Sequence, residues 1–351
     1  MLKFRHYTDA DFPGLNEFLV SANNSMFYSN PRYISLLQEH LEAKAGWFVA
    51  YDGNEILGAI PYLLKNGPLG AVYNSLAYYG SNGGVLYKHE NLDVTKNLLD
   101  FFFDNCIESQ ACSATVITNP LDPLAPTYRD LIVFDHLDSR VGQITDLSNA
   151  MDEDELLASF SDPRPRNIRR AQRAGITVQK SQDKATLQFL FNTHKSNIES
   201  IGGLAKSWDF FNRIPDWFPH DDWMQYTAYL NGEPISSLLL FYHKDVVEYY
   251  TPATVVEHRN LQPLSLVIYT AMLDAIKSGA KFWNWGGTWL TQTGVYDYKK
   301  KWNAYDFPYQ YFTRVFNPSV KGASAQELLS LYRGFYVLPF NALNCLNETR
   351  P

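Results

Sequence analysis

Two stretches of the chain alternate apolar and polar positions in the same way. Phe48–Leu64 ("FVAYDGNEILGAIPYLL") reads as two strands around an Asp-Gly-Asn turn, and Tyr226–Tyr242 ("YTAYLNGEPISSLLLFY") as two strands around Asn231-Gly232. Laid side by side without gaps, they share Ala50/Ala228, Tyr51/Tyr229 and Glu55/Glu233. Each hairpin follows a strand ("LKFRHYT", "ITVQKS") and then a helical pattern ("DADFPGLNEFLVSA", "QDKATLQFLFNTHKSNI") at a similar interval. Order and spacing recurring together predict two copies of one α+β unit.

The second copy continues legibly. "DVVEYYTPAT" predicts a third meander strand. "LQPLSLVIYTAMLDAIKSGA" predicts a helix, with Pro263 in its first turn and Gly279 at its end. "KFWNWG" predicts a short buried strand; of Trp283 and Trp285, at most one is expected to face a ligand. "GVYDYKKKW" then predicts a helix and "FPYQYFTRVF" a late strand. In the first copy, "LDVTKNLLDFFFDNCIES" is the long helix and "CSATVIT" the following strand. The expected division is a first lobe over 1–150, linking helices with an arginine-rich segment over 151–175, a second lobe over 176–320, and a C-terminal helix and tail over 321–351. The aromatic tail "LLSLYRGFYVLPFNALNCL" is expected to pack on the second lobe, with a dimer or membrane-surface contact as alternatives.

Charge narrows the function classes. The chain has 351 residues, 46% hydrophobic and 19% charged, with a net charge of -7. Such a balance disfavours DNA and broad nucleic-acid binding, which needs a basic face to neutralise phosphates. The N-terminus has no apolar signal core, no apolar run approaches membrane-spanning length, and Cys106, Cys112 and Cys345 fit neither a disulfide framework nor a CxxC pattern. A cytoplasmic setting is expected, with the cysteines as small buried apolar groups. No GxSxG, HExxH, GxGxxG or Walker text occurs, so hydrolase, metalloenzyme and kinase readings lack support, and no metal is expected.

Against that acidic background stands "SDPRPRNIRRAQRAG", Ser161–Gly175, with arginines at 164, 166, 169, 170 and 173. A helix over 161–174 would align Arg166, Arg169, Arg170 and Arg173 as a stripe. The stripe could meet a diphosphate by bidentate forks, or pair with the acidic run Asp152–Glu155.

The order strand, helices, antiparallel meander, helix, strand, helix resembles the GNAT acyltransferase fold. A tandem pair with a basic helix between the lobes resembles its FemAB-like branch, on the text "RPRNIRRAQRAGITV", "YYGSNGG" (Tyr78–Gly84) and "FWNWGGT…GVYDYKKKW". The resemblance implies an α+β protein of two tandem lobes, each a mixed, mostly antiparallel sheet flanked by helices. It also implies an N-acyltransferase. The expected reaction moves a 3-hydroxybutanoyl or acetyl group from acyl-CoA to the amino group of a nucleotide-linked (dTDP) amino sugar for a surface glycan. An aminoacyl-tRNA-dependent ligase acting on a peptidoglycan precursor is the alternative, disfavoured by the acidic charge. A non-catalytic binding module is the third reading.

The resemblance also implies roles. Tyr296 would protonate the leaving thiolate, and Lys299 matches the family's "FK" lysine. Arg259, Asn260, Thr251 and Trp285 would hold coenzyme A. Arg166, Arg170, Tyr79, Asn82, Asn284, Gly286 and Gly287 would hold the acceptor. The acyl carbon would sit where the strands "VEYYTPA" and "FWNWG" splay. One departure stands out: "RNLQPL", Arg259–Leu264, occupies the pyrophosphate loop but lacks both of its glycines. His194, Glu199, Asp209 and Glu248 are candidate bases by region, unranked, and attack without a protein base is a further reading.

Overall fold

The computed structural model describes residues 2–7, 12–78, 82–149, 152–339 and 342. Contacts divide the chain into two compact units. The first comprises the described residues up to Arg140 and those from Pro308 onward; the second is Val141–Phe307.

In the first unit, β1 (Lys3–Tyr7) leads through α1 (Phe12–Ser21) and α2 (Pro31–His40) to β2 (Lys44–Asp52), β3 (Glu55–Gly67), β4 (Gly70–Asn74) and the short β5 (Leu86–Tyr87). Then come α3 (Leu92–Glu108), β6 (Ala111–Ile117), α4 (Tyr128–Leu131) and β7 (His136–Asp146), whose later residues belong to the second unit. The second unit continues with α5 (Glu153–Ser159), α6 (Arg164–Arg173), β8 (Thr177–Ser181), α7 (Lys184–Glu199), α8 (Trp208–Trp217), β9 (Trp223–Leu230), β10 (Glu233–His243) and β11 (Val246–Thr254). It closes with α9 (Pro263–Lys277), β12 (Phe282–Trp289) and α10 (Thr293–Lys300). Most of β13 (Ala304–Val315) and α11 (Ala325–Leu331) return to the first unit.

The duplication shows in the ladders. In the first unit β1–β2, β2–β3 and β3–β4 pair antiparallel and β4–β6 parallel. In the second, β8–β9, β9–β10 and β10–β11 pair antiparallel and β11–β12 parallel. Both predicted hairpins form. Asp52 faces Glu55 across Gly53-Asn54, and Leu230 faces Glu233 across Asn231-Gly232. Asn231 and Gly232 both take positive φ (53° and 84°), as a type I′ turn requires. The first unit also takes a strand from the far end of the chain, where Tyr311–Val315 pairs antiparallel with β6.

Each unit buries one face of its strands under its long helix. In the first unit Leu98, Leu99, Phe102 and Phe103 of α3 meet Phe48, Ile60 and Tyr73 of the strands. The Asn91 side chain caps α3 by accepting from Val94 N–H at 3.0 Å. In the second, Leu266, Val267, Ile268, Ala271 and Met272 of α9 pack with Leu238, Leu240, Val247 and Trp283. Pro263 opens α9, and Gly279 at φ 85° follows its end. Trp283 and Trp285 both lie in this core with ring centroids 5.8 Å apart. Residues two apart on a strand share a face, so the two rings pack together in the core rather than on alternate faces of the strand.

Other expectations resolve locally. Cys106 and Cys112 are buried free thiols; Cys345 lies outside the described residues. The described tail packs within the first unit rather than on the second lobe: Tyr332 Oη donates to Gly70 O at 2.9 Å, and Asn74 exchanges two bonds with the Tyr336 backbone. Tyr79, Gly80 and Ser81 of the glycine turn lie outside the described residues. A Cβ at Gly83 would come within 2.7 Å of Ser75 Oγ, and one at Gly84 within 2.9 Å of Tyr128 Oη, so these glycines serve close packing. No helix among the described residues is long and apolar enough to cross a membrane.

Candidate active site

The parallel ladder between β11 and β12 lasts three positions: Val246↔Phe282, Val247↔Trp283 and Glu248↔Asn284. Both strands then run on apart, β11 to Thr254 and β12 to Trp289. Beyond the last pair the two strands form no further ladder, and the Pro252–Thr254 end of β11 lines a cavity. A bulge sharpens the bend. On β10, Leu239 faces Thr251 but Leu240 faces Tyr249, so Tyr250 is the extra residue on β11.

Glu248 and Asn284 stand at the mouth of this fork. Asn284 Nδ2 donates to Glu248 Oε2 at 2.8 Å, while Asn284 Oδ1 accepts from Gly286 N–H at 2.9 Å. Glu248 is 1% exposed, and its second oxygen, Oε1, has no partner. Burial raises its carboxyl pKa to about 8, against a smaller lowering by the Asn284 bond. Thr251, three residues on, also has a buried hydroxyl with no partner.

The far side of the fork is held by Lys299 of α10. Its Nζ donates to Gly286 O and Gly287 O, each at 3.2 Å, and to Thr288 Oγ1 at 2.8 Å. An ammonium has three donors, and here all three are used. Burial lowers its pKa to about 8. Gly286 takes φ 70°, the left-handed region in which a side chain is strained. Trp285 points into the core and donates from Nε1 to Thr145 Oγ1 at 2.9 Å.

The two tyrosines of α10 diverge. Tyr298 lines a cavity of about 330 Å³ together with Asn197, Pro252, Thr254, Arg259 and Gln262. Tyr296 instead donates to Asp306 Oδ2 at 2.7 Å, and that bond raises its pKa. At the cavity, Gln262 takes φ 61° at the N-terminus of α9. Its side chain is held at both ends, accepting from Asn167 Nδ2 at 2.9 Å and donating to Arg259 O at 2.9 Å. The position that would need a glycine is thus filled by an anchored side chain in a left-handed conformation. Arg259 and Asn260 are exposed, and of the two only Arg259 lines the cavity.

The four candidate bases have different surroundings. Glu199 and Asp209 pair with Lys195 and Arg213 one helical turn away on exposed faces. His194 is buried against Phe211, and burial lowers its pKa to about 4. Only Glu248 lies at the fork.

The arginine segment forms α6, and Arg166, Arg169, Arg170 and Arg173 are exposed. None of them pairs with a carboxylate among the described residues, so the pairing with Asp152–Glu155 does not form. The buried face carries Arg164, Ile168 and Ala171. That spacing of i, i+4 and i+7 was the available signal for Arg164, and the sequence reading missed it. In the first unit, Asn82 is buried with Nδ2 3.0 Å from Met26 Sδ; Tyr79 lies outside the described residues. Among the described residues no group of three His, Cys, Asp or Glu side chains could hold a metal.

Residues 164–300 match the family model described as an acetyltransferase (GNAT) domain. No curated protein matches the chain in sequence. Among solved structures, FemX aligns over 91% of this chain and 99% of its own at 16% identity and TM-score 0.70. A tandem GNAT protein from the clavulanic acid biosynthesis pathway aligns over 90% and 98%, at 10% identity and TM-score 0.55. The C-terminal domain of a putative lysylphosphatidylglycerol synthetase from Agrobacterium fabrum aligns over 92% and 99%, at 10% identity and TM-score 0.55. With the GNAT domain model matching the segment that holds the fork, and tandem GNAT structures matching its α+β fold, the chain is an acyltransferase of GNAT-type fold.

Proposed function

We propose that the second unit acylates a primary amine at the β11–β12 fork. The observation that carries this reading is the buried Glu248, held by Asn284 at the point where the strands part. A carboxyl with a pKa of about 8 is matched to taking a proton from an ammonium or attacking amine near neutral pH. The amine nitrogen attacks the acyl carbon, and the developing oxyanion lies against main-chain donors of β11. The bond from the acyl carbon to its carrier breaks as the carbonyl reforms. Glu248 takes the proton from the amine. Tyr298, on the cavity side of α10, gives one to the leaving sulfur or oxygen.

The donor we favour is a small acyl-CoA, and the acceptor a nucleotide-linked amino sugar. The net charge of -7 supports this pairing over a polyanionic carrier such as tRNA. One observation favours a second reading, aminoacyl transfer from an ester donor: Gln262 and Pro263 occupy the turn where a glycine loop would cradle a pyrophosphate. Incubating the protein with acyl-CoAs and dTDP-amino sugars, and in parallel with aminoacyl-tRNA and a peptidoglycan precursor, decides between them by the mass of the amide. Product in neither reaction would overturn both.

The roles of the two tyrosines separate in the same assay. Tyr298→Phe is expected to lower kcat about tenfold or more, as loss of a general acid does. Tyr296→Phe is expected to change kcat less than twofold, because its hydroxyl is committed to Asp306. The opposite ranking would reassign the acid to Tyr296.

A further inference from the structure

The arginine-rich segment contributes one side chain to the interior. Arg164 is 7% exposed, and its guanidinium lies over the Tyr298 ring at 4.2 Å and the Trp302 ring at 5.5 Å. Its Nε is buried with no hydrogen-bond partner, and no carboxylate among the described residues pairs with it. An unpaired guanidinium taken out of water is costly, and two aromatic faces offset only part of that cost. The four other arginines of α6 carry no such cost, being solvated. A chain keeps a buried unpaired charge where something else completes it.

We propose that Arg164 is the anion-binding residue of the second unit, and that it takes a phosphate or carboxylate oxygen of the acyl donor. Its position supports this. Tyr298 lies directly beneath the guanidinium and also lines the 330 Å³ cavity, with Arg259 at the same cavity. Tyr249 of β11, at the fork, is close enough to feel the same charge. The backbone at the α9 N-terminus is poorly equipped to hold an anion alone. Pro263 has no N–H, and Ser265 N–H is already bonded to Gln262 O at 3.0 Å. A planar fork of donors stacked on a ring replaces the missing backbone cradle. The anion could be a phosphate of the carrier or a carboxylate on the acyl group itself. Only this choice of carrier rests on the acyl-transfer reading; the anion site stands on Arg164's own surroundings.

The test uses the full chain as wild type, Arg164→Met and Arg164→Lys. The probes are CoA, phosphate-free pantetheine, inorganic pyrophosphate and succinate, measured by calorimetry and by melting. Arg164→Met is expected to weaken CoA and pyrophosphate about ten- to a hundredfold and leave pantetheine unchanged. Arg164→Lys should recover little, since an ammonium neither stacks nor forks. Without ligand, Arg164→Met should melt at the same or a higher temperature, because an uncompensated charge is gone, and the ligand-induced rise should vanish. Dependence of succinate rather than pyrophosphate on Arg164 would identify the acyl carboxylate as the anion. Binding of every probe unchanged by Arg164→Met, or a lower melting temperature with binding intact, would overturn the proposal and make Arg164 a packing residue. Arg164-dependent anion binding without amide product in any transfer assay would leave this site standing and overturn the acyl-transfer reading. Product formed with Arg164-independent kinetics would do the reverse.

Discussion

Glu248→Gln is expected to lower kcat by about a hundred- to ten-thousandfold, the range for loss of a positioned general base. The substitution keeps shape and one acceptor for Asn284, so the fork should survive. In the wild type, kcat should rise with pH and level off near the pKa of about 8, where Glu248 becomes ionised. That limb should be absent from the residual activity of the variant. A wild-type profile flat from pH 6 to 9, with Glu248→Gln fully active, would remove Glu248 from the chemistry. Stability offers a second readout. The folded pKa lies above the ordinary 4.5, so this carboxyl contributes stability that is fully present below pH 4.5 and lost as pH rises through about 8. Across that window the slope is about 1.4 kcal/mol per pH unit. Glu248→Gln lacks the slope, so the variant should outlast the wild type in denaturant at pH 8 by more than at pH 5.

Lys299→Met is the second large expected effect. Removing the amine leaves the carbonyls of Gly286 and Gly287 and the Thr288 hydroxyl without their donor. Each such loss costs about 1–3 kcal/mol, partly offset because a desolvated charge also goes. A net loss of about 2 kcal/mol, with kcat down at least about tenfold, is the expected result, because these residues form one wall of the fork. The pH dependence has the opposite sign to that of Glu248. The folded pKa lies below the ordinary 10.5, so this amine's contribution to stability is present above pH 10.5 and lost as pH falls through about 8. Denaturation between pH 7.5 and 10.5 should show that slope in the wild type and not in Lys299→Met. A variant of unchanged stability but abolished kcat would instead make the lysine a group that acts on the reacting atoms.

The sequence carried the repeating architecture because hairpins and helix ends are local. Asn231-Gly232 announces its turn, and Pro263 and Gly279 bracket α9. The strand gap was placed through the family resemblance, and the ladder between β11 and β12 ends there, at Glu248↔Asn284. What was not legible depends on direction and on distance along the chain. Nothing local separates Tyr296 from Tyr298; the partner Asp306 lies beyond the next turn. Glu248 could not be ranked above Asp209, because burial comes from elements the sequence does not place beside it. Arg164 was grouped with four arginines of like appearance, although Ile168 and Ala171 mark the face that turns inward. The return of Tyr311–Val315 to pair with β6 joins residues about two hundred positions apart, as between Val315 and Ser113, and no periodicity encodes that.

The first unit has the same strand order but no such fork among its described residues. Its parallel pair β4–β6 stays zipped through Asn74↔Thr115, and Ser75 continues the ladder by donating its N–H to Thr115 O at 2.9 Å. The tail then seals the edge, with Asn74 bonded to Tyr336 and Tyr78 N–H to Gly334 O at 2.9 Å. The two halves share a strand order yet differ at the one place where strands can part, so they are not interchangeable parts. A chimera of two first halves would have every strand and lack the fork at which we propose the acyl carbon sits. One made of two second halves would carry two open clefts and lose the segment that keeps one of them shut. If the acyl carbon sits at the fork as proposed, selection can reshape the closed half for recognition alone, while the open half stays constrained by its chemistry.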